Sequence, residues 1–347
     1  MSREAGVSES SVQQIVLASR PKGPPTAENF RLEEVLMPAL RAGGLLLRVL
    51  YLSLDPYMRG RMDDRKSYAK PVGIGEVMIG ESVCEVVASN RPGYAAGDIV
   101  LAHTGWRTHA AWDGPASRKL DPALAPITTA LGVLGMPGFT AYAGLYVIGK
   151  PKAGETVAVA AASGPVGSLV GQLARMVGAR AVGIAGGAEK CRYVTEELRF
   201  DAAIDHRAPN FAHQLAVACP KGIDIYFENV GGAAWQAALP LLNTFARVPV
   251  CGLIAHYSGG GQAAGPNLLP ATMREVLTKS LTLRGFINYE FSAEHFAPFL
   301  RTVAAGLADG RIRYREDITN GLENAPAAFI GMLEGRNFGK TLVRVAH

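Results

Sequence analysis

The 347-residue chain is 48 % hydrophobic and 19 % charged, with a formal net charge of +5; this excludes global disorder and leaves room for two domains, each with its own core. Lysine and arginine are scattered, and the densest stretch, 59–66, also holds Asp63 and Asp64, so the basic stripe of a nucleic-acid binder is missing and no nucleic-acid partner is expected. No apolar run approaches the roughly 20 residues of a membrane span, and the polar segment 1–14 lacks the apolar centre of a signal peptide; no membrane partner and a cytoplasmic location are expected. Cys84, Cys191, Cys219 and Cys251 lie far apart in sequence, which offers no CxxC spacing and reads as buried thiols in a reducing compartment.

The first third is β-rich. Short strands are expected over 45–54, 77–88 and 98–103, with turns at Arg91-Pro92-Gly93 and Ala96-Gly97-Asp98. A different rhythm begins near Thr140. Segment 156–162 reads as a buried strand, and Val166, Leu169, Val170, Leu173, Ala174 and Val177 then fall on one face of a helix that Gly178 ends. Further strands are expected over 180–185, 202–205, 223–227 and 248–254, with helices over 189–198, 211–218 and 233–242. This alternation predicts an α/β, doubly wound parallel sheet with helices on both faces. A last strand over 281–287 and a helix over 294–307 follow, and the strand-like 340–345 closes the first domain. The expected division is 1–135 with 305–347 for the first domain and 136–304 for the second. A single low-complexity tract, 258–262, is present.

The second domain carries Ala162-Ser163-Gly164-Pro165-Val166-Gly167 between a strand and a helix. This is the GxGxxG fingerprint with alanine at its first glycine. Such a turn keeps side chains away from a pyrophosphate and presents free N–H groups at the helix N-terminus. Ser163, Gly164, Pro165, Val166 and Gly167 are therefore candidate cofactor contacts, with Pro165 at an early position where its missing N–H costs little. An NAD enzyme places a carboxylate roughly 20 residues past the fingerprint; here Ile184-Ala185-Gly186-Gly187 stands there and Lys190 follows. NADPH is the expected cofactor, with Lys190 on its phosphate. Asn229, past the fourth strand, suits a ribose or nicotinamide contact and equally suits a turn before Gly231-Gly232.

Taken together, these residues resemble the medium-chain dehydrogenase/reductase superfamily, and within it the zinc-free prostaglandin reductase and leukotriene B4 dehydrogenase branch. The motifs are Leu52-Ser53-Leu54-Asp55-Pro56-Tyr57-Met58-Arg59-Gly60-Arg61-Met62, Gly135-Met136-Pro137-Gly138-Phe139-Thr140-Ala141-Tyr142, Ala161 to Gly167, Glu228 to Gly232, Cys251-Gly252-Leu253-Ile254 and Asn337-Phe338-Gly339-Lys340. They span 16–345. The resemblance implies a GroES-like catalytic domain beside a Rossmann domain, NADPH, and a homodimer. It implies cofactor contacts from Lys190, Asn229, Cys251, Tyr257, Phe286, Ile287, Asn288 and Asn337. His206 stands where animal members carry tyrosine, which leaves its cofactor contact open. Zinc-dependent relatives carry Gly-His-Glu and an early cysteine; here Gly80-Glu81 has no histidine before it, no cysteine precedes Cys84, and no metal site is expected.

The resemblance further implies reduction of the C=C bond of α,β-unsaturated ketones and aldehydes. Hydride reaches the β-carbon, charge builds on the carbonyl oxygen, and the α-carbon takes a proton, so hydrogen-bond donors in a dry pocket are needed. Tyr257 is the first candidate for that donor. It equally suits orienting a ribose hydroxyl, or packing on the glycines 259–261. Tyr57 and Tyr68 match positions that line the substrate pocket; the first also suits a structural plug and the second a surface loop. Trp106 and Met136 are further wall candidates. Curcumin-like diarylheptanoids, prostaglandin-like enones, quinones and small alkenals all remain open as small-molecule substrates. An NADP-dependent allylic alcohol dehydrogenase or quinone reductase, and a non-catalytic NADPH-binding protein, are the alternatives.

Overall fold

A computed structural model describes residues 11–115, 117–259 and 268–346. The chain divides into two compact units, 1–131 with 318–334 and 341–347, and 132–317 with 335–340. The segment 260–262 of the low-complexity tract lies outside the described residues.

The second unit holds a six-stranded parallel sheet. Its order is Ala202–Asp205, Arg180–Ala185, Thr156–Ala160, Ile223–Phe227, Leu242–Val250 and Thr282–Gly285. The sequence explains the central position of Thr156–Ala160: all five of its residues are buried, which suits a strand covered on both faces. One core cluster packs the helix Pro165–Met176 through Leu169, Val170, Leu173 and Ala174 against one face, and a second packs Phe211, Leu215, Ala234 and Ala238 against the other. Gly178, at φ +80, follows the first helix as expected. Two helical expectations end early. The helix expected over 189–198 is α-helical only over Ala188–Arg192 and widens into a π-type turn over Tyr193–Glu197. The helix expected over 233–242 stops at Ala238, and the strand expected over 248–254 spans Leu242–Val250 instead. Pro240 tightens the chain into a short 3-10 turn, and parallel pairing of Leu242 with Ile223 starts the strand early.

The first unit is antiparallel. Leu45–Ser53 pairs with Ser82–Ser89 and His109–Trp112, and Ser82–Ser89 with Ile99–Ala102. The last strand, Lys340–Arg344, pairs through Leu342–Arg344 with Tyr51–Ser53 on the edge that also carries His109–Trp112. The strand expected over 77–88 begins at Ser82; Val77 makes a single bridge to Val16. A hairpin of Ser11–Leu17 and Phe30–Leu36 was not expected from the sequence. Its inner face meets Met58, Trp106 and Phe329 in one apolar cluster.

Candidate active site

The fingerprint lies between the first strand of the parallel sheet and the helix Pro165–Met176, so it stands at the carboxyl end of that strand. The chain turns at Ala161, whose φ is +54, one residue before the alanine aligned with the first fingerprint glycine. Ala162 is buried and its N–H donates to Ile184 O at 2.9 Å, which ties the turn to the second strand. A larger residue is not tolerated there: a Cβ on Gly183 of that strand would already lie 2.8 Å from the Ala162 methyl. Gly167 is required by close approach, since a Cβ would meet Ala161 O at 2.4 Å. Gly164, Pro165 and Val166 are half-buried and Ser163 is buried. The turn thus offers bare backbone at a helix start that Pro165 opens, the cradle a pyrophosphate needs.

A second cluster lies at the ends of the two neighbouring strands. Asp205 Oδ1 accepts from the Gly187 and Arg207 N–H groups, both at 2.9 Å, and these bonds hold its carboxyl below the usual range. This fold of the loop places the His206 ring and the Arg207 guanidinium beside Gly186, where a Cβ would meet His206 Nε2 at 2.9 Å and Arg207 Nε at 3.2 Å. Lys190 donates to Gly335 O at 2.7 Å. Partial burial and then the nearby Arg207 hold its ammonium below the ordinary lysine value, and the same two causes lower His206. Asp205, at the end of the second of these strands, is turned to backbone, while Asp317 and Glu189 also act on Lys190. The basic cluster is the chemistry of a phosphate site. Sequence reading missed Arg207. It lies past the end of the strand Ala202–Asp205, one residue beyond His206, and no local sequence pattern marks it.

Glu228 and Asn229 end the fourth strand. Asn229 Nδ2 donates to Ala160 O at 2.9 Å, so its amide is tied to the first strand just before the fingerprint turn. Glu228 Oε1 accepts from Val230 N at 2.6 Å and Gly231 N at 2.8 Å, and its buried Oε2 has no partner among the described residues. Burial raises its pKa. Cys251 follows the fifth strand, with its N–H on Glu228 O at 2.9 Å; burial pushes its thiol up to about 12, so it stays protonated and serves by shape. Tyr257 Oη accepts from Leu253 N at 3.3 Å and would stand 3.1 Å from a Cβ on Gly252. The fingerprint, Asn229 and Cys251 thus share the carboxyl edge of one sheet. Asn288 donates to Thr140 Oγ1 at 3.0 Å and to Met136 O at 3.4 Å, which ties Met136 and Asn288 together. Phe286 and Ile287 are half-buried, with Phe286 6.3 Å from the Phe227 ring. Asn337 Nδ2 donates to Gly339 O at 3.0 Å.

The first unit has its own cavity of about 330 Å³, lined by Tyr57, Val77, Met78, Ile79, Gly80, His103, Thr104, Gly105 and Arg107. The volume is that of a small-molecule pocket. Tyr57 opens the short helix Tyr57–Arg61, and burial, then Asp55, raise its hydroxyl pKa, so it is a neutral donor. Two expected wall residues are elsewhere. Trp106 is fully buried, stacked on Phe30 at 5.6 Å with Phe329 against its edge; a ring without free surface is core, and this corrects its reading as a wall. Tyr68 is exposed and does not line the cavity; the Arg61 guanidinium covers its ring at 4.1 Å. Among the described residues, no three His, Cys, Asp or Glu side chains are grouped as a metal site requires.

Comparison with known proteins agrees with this organisation. Residues 13–120 match a family described as the N-terminal domain of oxidoreductase, and residues 165–305 one described as zinc-binding dehydrogenase. The chain is 55 % identical over 331 residues to NADPH-dependent curcumin reductase of Escherichia coli (strain K12), covering 95 % of this chain and 96 % of the relative. It is 41 % identical over 330 residues to prostaglandin reductase 1 of Bos taurus, covering 93 % and 95 %. The crystal structure of CurA in complex with NADPH from Vibrio vulnificus superposes with a TM-score of 0.94 at 52 % identity, covering 96 % of this chain and 99 % of that one.

Proposed function

From the premise that this chain belongs to the medium-chain dehydrogenase/reductase superfamily, we propose that it is an NADPH-dependent reductase of the C=C bond of α,β-unsaturated ketones and aldehydes. It is a small-molecule enzyme akin to curcumin reductase. The observation that carries the cofactor choice is the basic cluster of Lys190, His206 and Arg207 at the strand ends, where an NAD enzyme would hold a carboxylate. Ser163, Gly164, Pro165, Val166 and Gly167 would cradle the pyrophosphate. Lys190 and Arg207 would hold the 2′-phosphate. Asn229, Cys251, Phe286, Ile287, Asn288 and Asn337 would shape the remainder. Bound NADPH supplies the hydride that an enone takes at its β-carbon.

The protein's own task is to hold the substrate, keep water away and answer the charge that gathers on the carbonyl oxygen. Tyr257 is the proposed donor, either to that oxygen or to a ribose hydroxyl it orients. Tyr57 and Met136 contribute to the substrate walls. Zinc-free catalysis is supported by the donor set: Gly80-Glu81 has no adjacent histidine, and the cysteines Cys84, Cys191, Cys219 and Cys251 are not gathered. The proposed domain assignment is a discontinuous GroES-like domain, 1–135 with 305–347, and a Rossmann domain, 136–304. A cytoplasmic location is proposed as well; no helix among the described residues is long and apolar enough to cross a membrane.

A homodimer completes the proposal. The edge strand Thr282–Gly285 is exposed at every residue, and the helix Leu269–Thr278 shows Leu269, Met273 and Leu277 to solvent at a spacing of four. An apolar stripe leading into an open strand edge suits a second copy of the same unit.

The test is NADPH oxidation, followed by absorbance, with a panel of enones that includes curcumin, beside NADH and with a chelator present. Turnover with NADPH, weak turnover with NADH and indifference to chelator are expected. NADPH binding without turnover of any enone would defeat the reductase reading and favour a non-catalytic NADPH-binding protein.

A further inference from the structure

The strand order sets which part of a dinucleotide lies where along the carboxyl edge of the parallel sheet. The strands run Ala202–Asp205, Arg180–Ala185, Thr156–Ala160, Ile223–Phe227 and Leu242–Val250. The basic cluster of Lys190, His206 and Arg207 stands past the first two, and the fingerprint turn past the third. A dinucleotide with its 2′-phosphate on the cluster and its pyrophosphate on the turn therefore carries its nicotinamide half over the ends of the other two. Those ends are the segments 228–232 and 251–257, and one residue, Glu228, holds both.

Glu228 is 2 % exposed. Its side chain serves its own segment: Oε1 accepts from Val230 N–H at 2.6 Å and Gly231 N–H at 2.8 Å. Its main chain serves the other: Glu228 O accepts from Cys251 N–H at 2.9 Å and Gly252 N–H at 3.1 Å, and Glu228 N–H donates to Pro249 O at 3.0 Å. The two segments then lock to each other. Ile254 N–H donates to Asn229 O at 3.3 Å, and Ala255 N–H to Val230 O at 3.0 Å. Glycine makes the close approach possible: a Cβ on Gly231, at φ +75, would meet the His256 ring at 2.9 Å, and one on Gly252 would lie 3.1 Å from Tyr257 Oη and 3.3 Å from Asn229 O. Asn229 and Tyr257, the two polar side chains proposed to serve the nicotinamide half, thus stand on backbone that Glu228 fixes.

Packing does not account for a carboxyl at this place. Its Oε2 is buried with no hydrogen-bond partner among the described residues. Burial works against its charge, and backbone N–H groups rather than a cation work for it. A buried carboxyl without a cation is unfavourable in itself. An apolar residue would suit the strand end, yet it would leave the Val230 and Gly231 N–H groups without their acceptor. We infer that Glu228 is the positioning residue for the nicotinamide half of the site, acting through Asn229 and Tyr257 by holding the segments 229–231 and 251–257 in register. The inference rests on the NADPH reading, and every residue in it belongs to the second unit.

The probes are NADPH and adenosine 2′,5′-bisphosphate, which carries the 2′-phosphate and lacks the nicotinamide half, titrated by calorimetry into wild type, Glu228→Ala and Glu228→Gln. The quantity read is the ratio of the two dissociation constants within each preparation, so that the bisphosphate reports whether the phosphate end of the sheet is intact. Glu228→Ala is expected to weaken NADPH about ten- to hundredfold, as loss of the acceptor for two buried N–H groups implies, and to leave the bisphosphate at its wild-type affinity. Glu228→Gln, which keeps an Oε1 acceptor, is expected to restore most of the NADPH affinity. Should the alanine chain not fold, Glu228→Asp, whose oxygens are drawn back by one methylene, is read in the same way. The inference is overturned if the alanine variant keeps wild-type NADPH affinity, if it weakens both ligands equally, as general damage to the sheet would, or if the glutamine variant falls as far as the alanine one. Failure of wild type to bind either ligand would instead defeat the NADPH reading itself.

Discussion

At the scale of single residues, the proposed phosphate site rests on charge brought together by the ends of adjacent strands. Lys190 was legible because it follows the fingerprint at the spacing where dinucleotide selection occurs. Arg207 was not, because no local pattern tells a reader that Asp205 folds its loop back onto Gly187 N–H. Lys190→Ala should weaken NADPH binding roughly ten- to hundredfold, the cost of a charge-assisted contact, and change NADH binding far less; equal losses in a titration of both nucleotides would remove the phosphate role. Tyr257→Phe should lower kcat about ten- to hundredfold, the scale of one lost donor to a developing oxyanion, and a wild-type rate would end its candidacy. Glu228 gives a pH prediction. Its burial raises the folded-state pKa above the ordinary 4.5, so the native state holds its proton over a window in which the unfolded chain has lost it. Its contribution to stability is full below the unfolded value and fades as pH rises through the folded one. Glu228→Gln keeps an Oε1 acceptor for Val230 and Gly231 but does not ionise. The stability difference between variant and wild type should therefore move in favour of the variant as pH rises through that window; urea midpoints that run parallel in pH would contradict this.

Among the elements, buried runs and one-faced helices were read best. The strands Ala202–Asp205 and Ile223–Phe227 and the helix Phe211–Ala218 lie where the sequence predicts them, since a short apolar run or a clean stripe has one stable place in a doubly wound sheet. The hairpin of Ser11–Leu17 and Phe30–Leu36 was not legible. Gln13 and Gln14 interrupt its alternation, and its pairing spans a long connection. Helix Met136–Ala143 was hidden as well, because Pro137 and Gly138 are poor helix formers; Gly138 is needed where a Cβ would lie 2.0 Å from Val133 O. The fingerprint turn illustrates how packing decides residue choice. A methyl at Gly167 would press on backbone, Ala161 O and Ala162 Cα, rather than on a yielding side chain. Gly167→Ala should therefore destabilise the protein by about 1–3 kcal/mol, the usual cost of overpacking, and weaken NADPH binding by distorting the turn. A thermal unfolding curve and a binding isotherm matching wild type would show that the helix can retreat without cost.

For the whole molecule, the change of rhythm along the chain signalled two units, while the surface proposed to join one copy to another left no such signal. Nothing in the periodicity of 269–278 says that its apolar stripe stays exposed. In isolation Leu269, Met273 and Leu277 read as core positions on a buried face. The structure instead turns Val276 toward the core cluster and leaves the stripe in water, 60 %, 55 % and 81 % exposed respectively. The helix then runs through Lys279 and Ser280 into Thr282–Gly285, which among the described residues pairs with Leu242–Val250 on one side alone. A single chain gains nothing from that arrangement, because an open edge beside exposed leucine invites uncontrolled strand addition. A two-fold partner removes both liabilities at once, since an isologous contact covers the edge and the stripe of each copy with those of the other. Light scattering on the purified protein should give the mass of two chains. The double variant Met273→Lys and Leu277→Lys, altering exposed side chains that a lone unit does not bury, should give the mass of one while keeping a cooperative unfolding transition. A dimeric mass that survives both lysines would move the interface to another face, and a monomeric wild type would mean that the exposed stripe serves something other than a second copy.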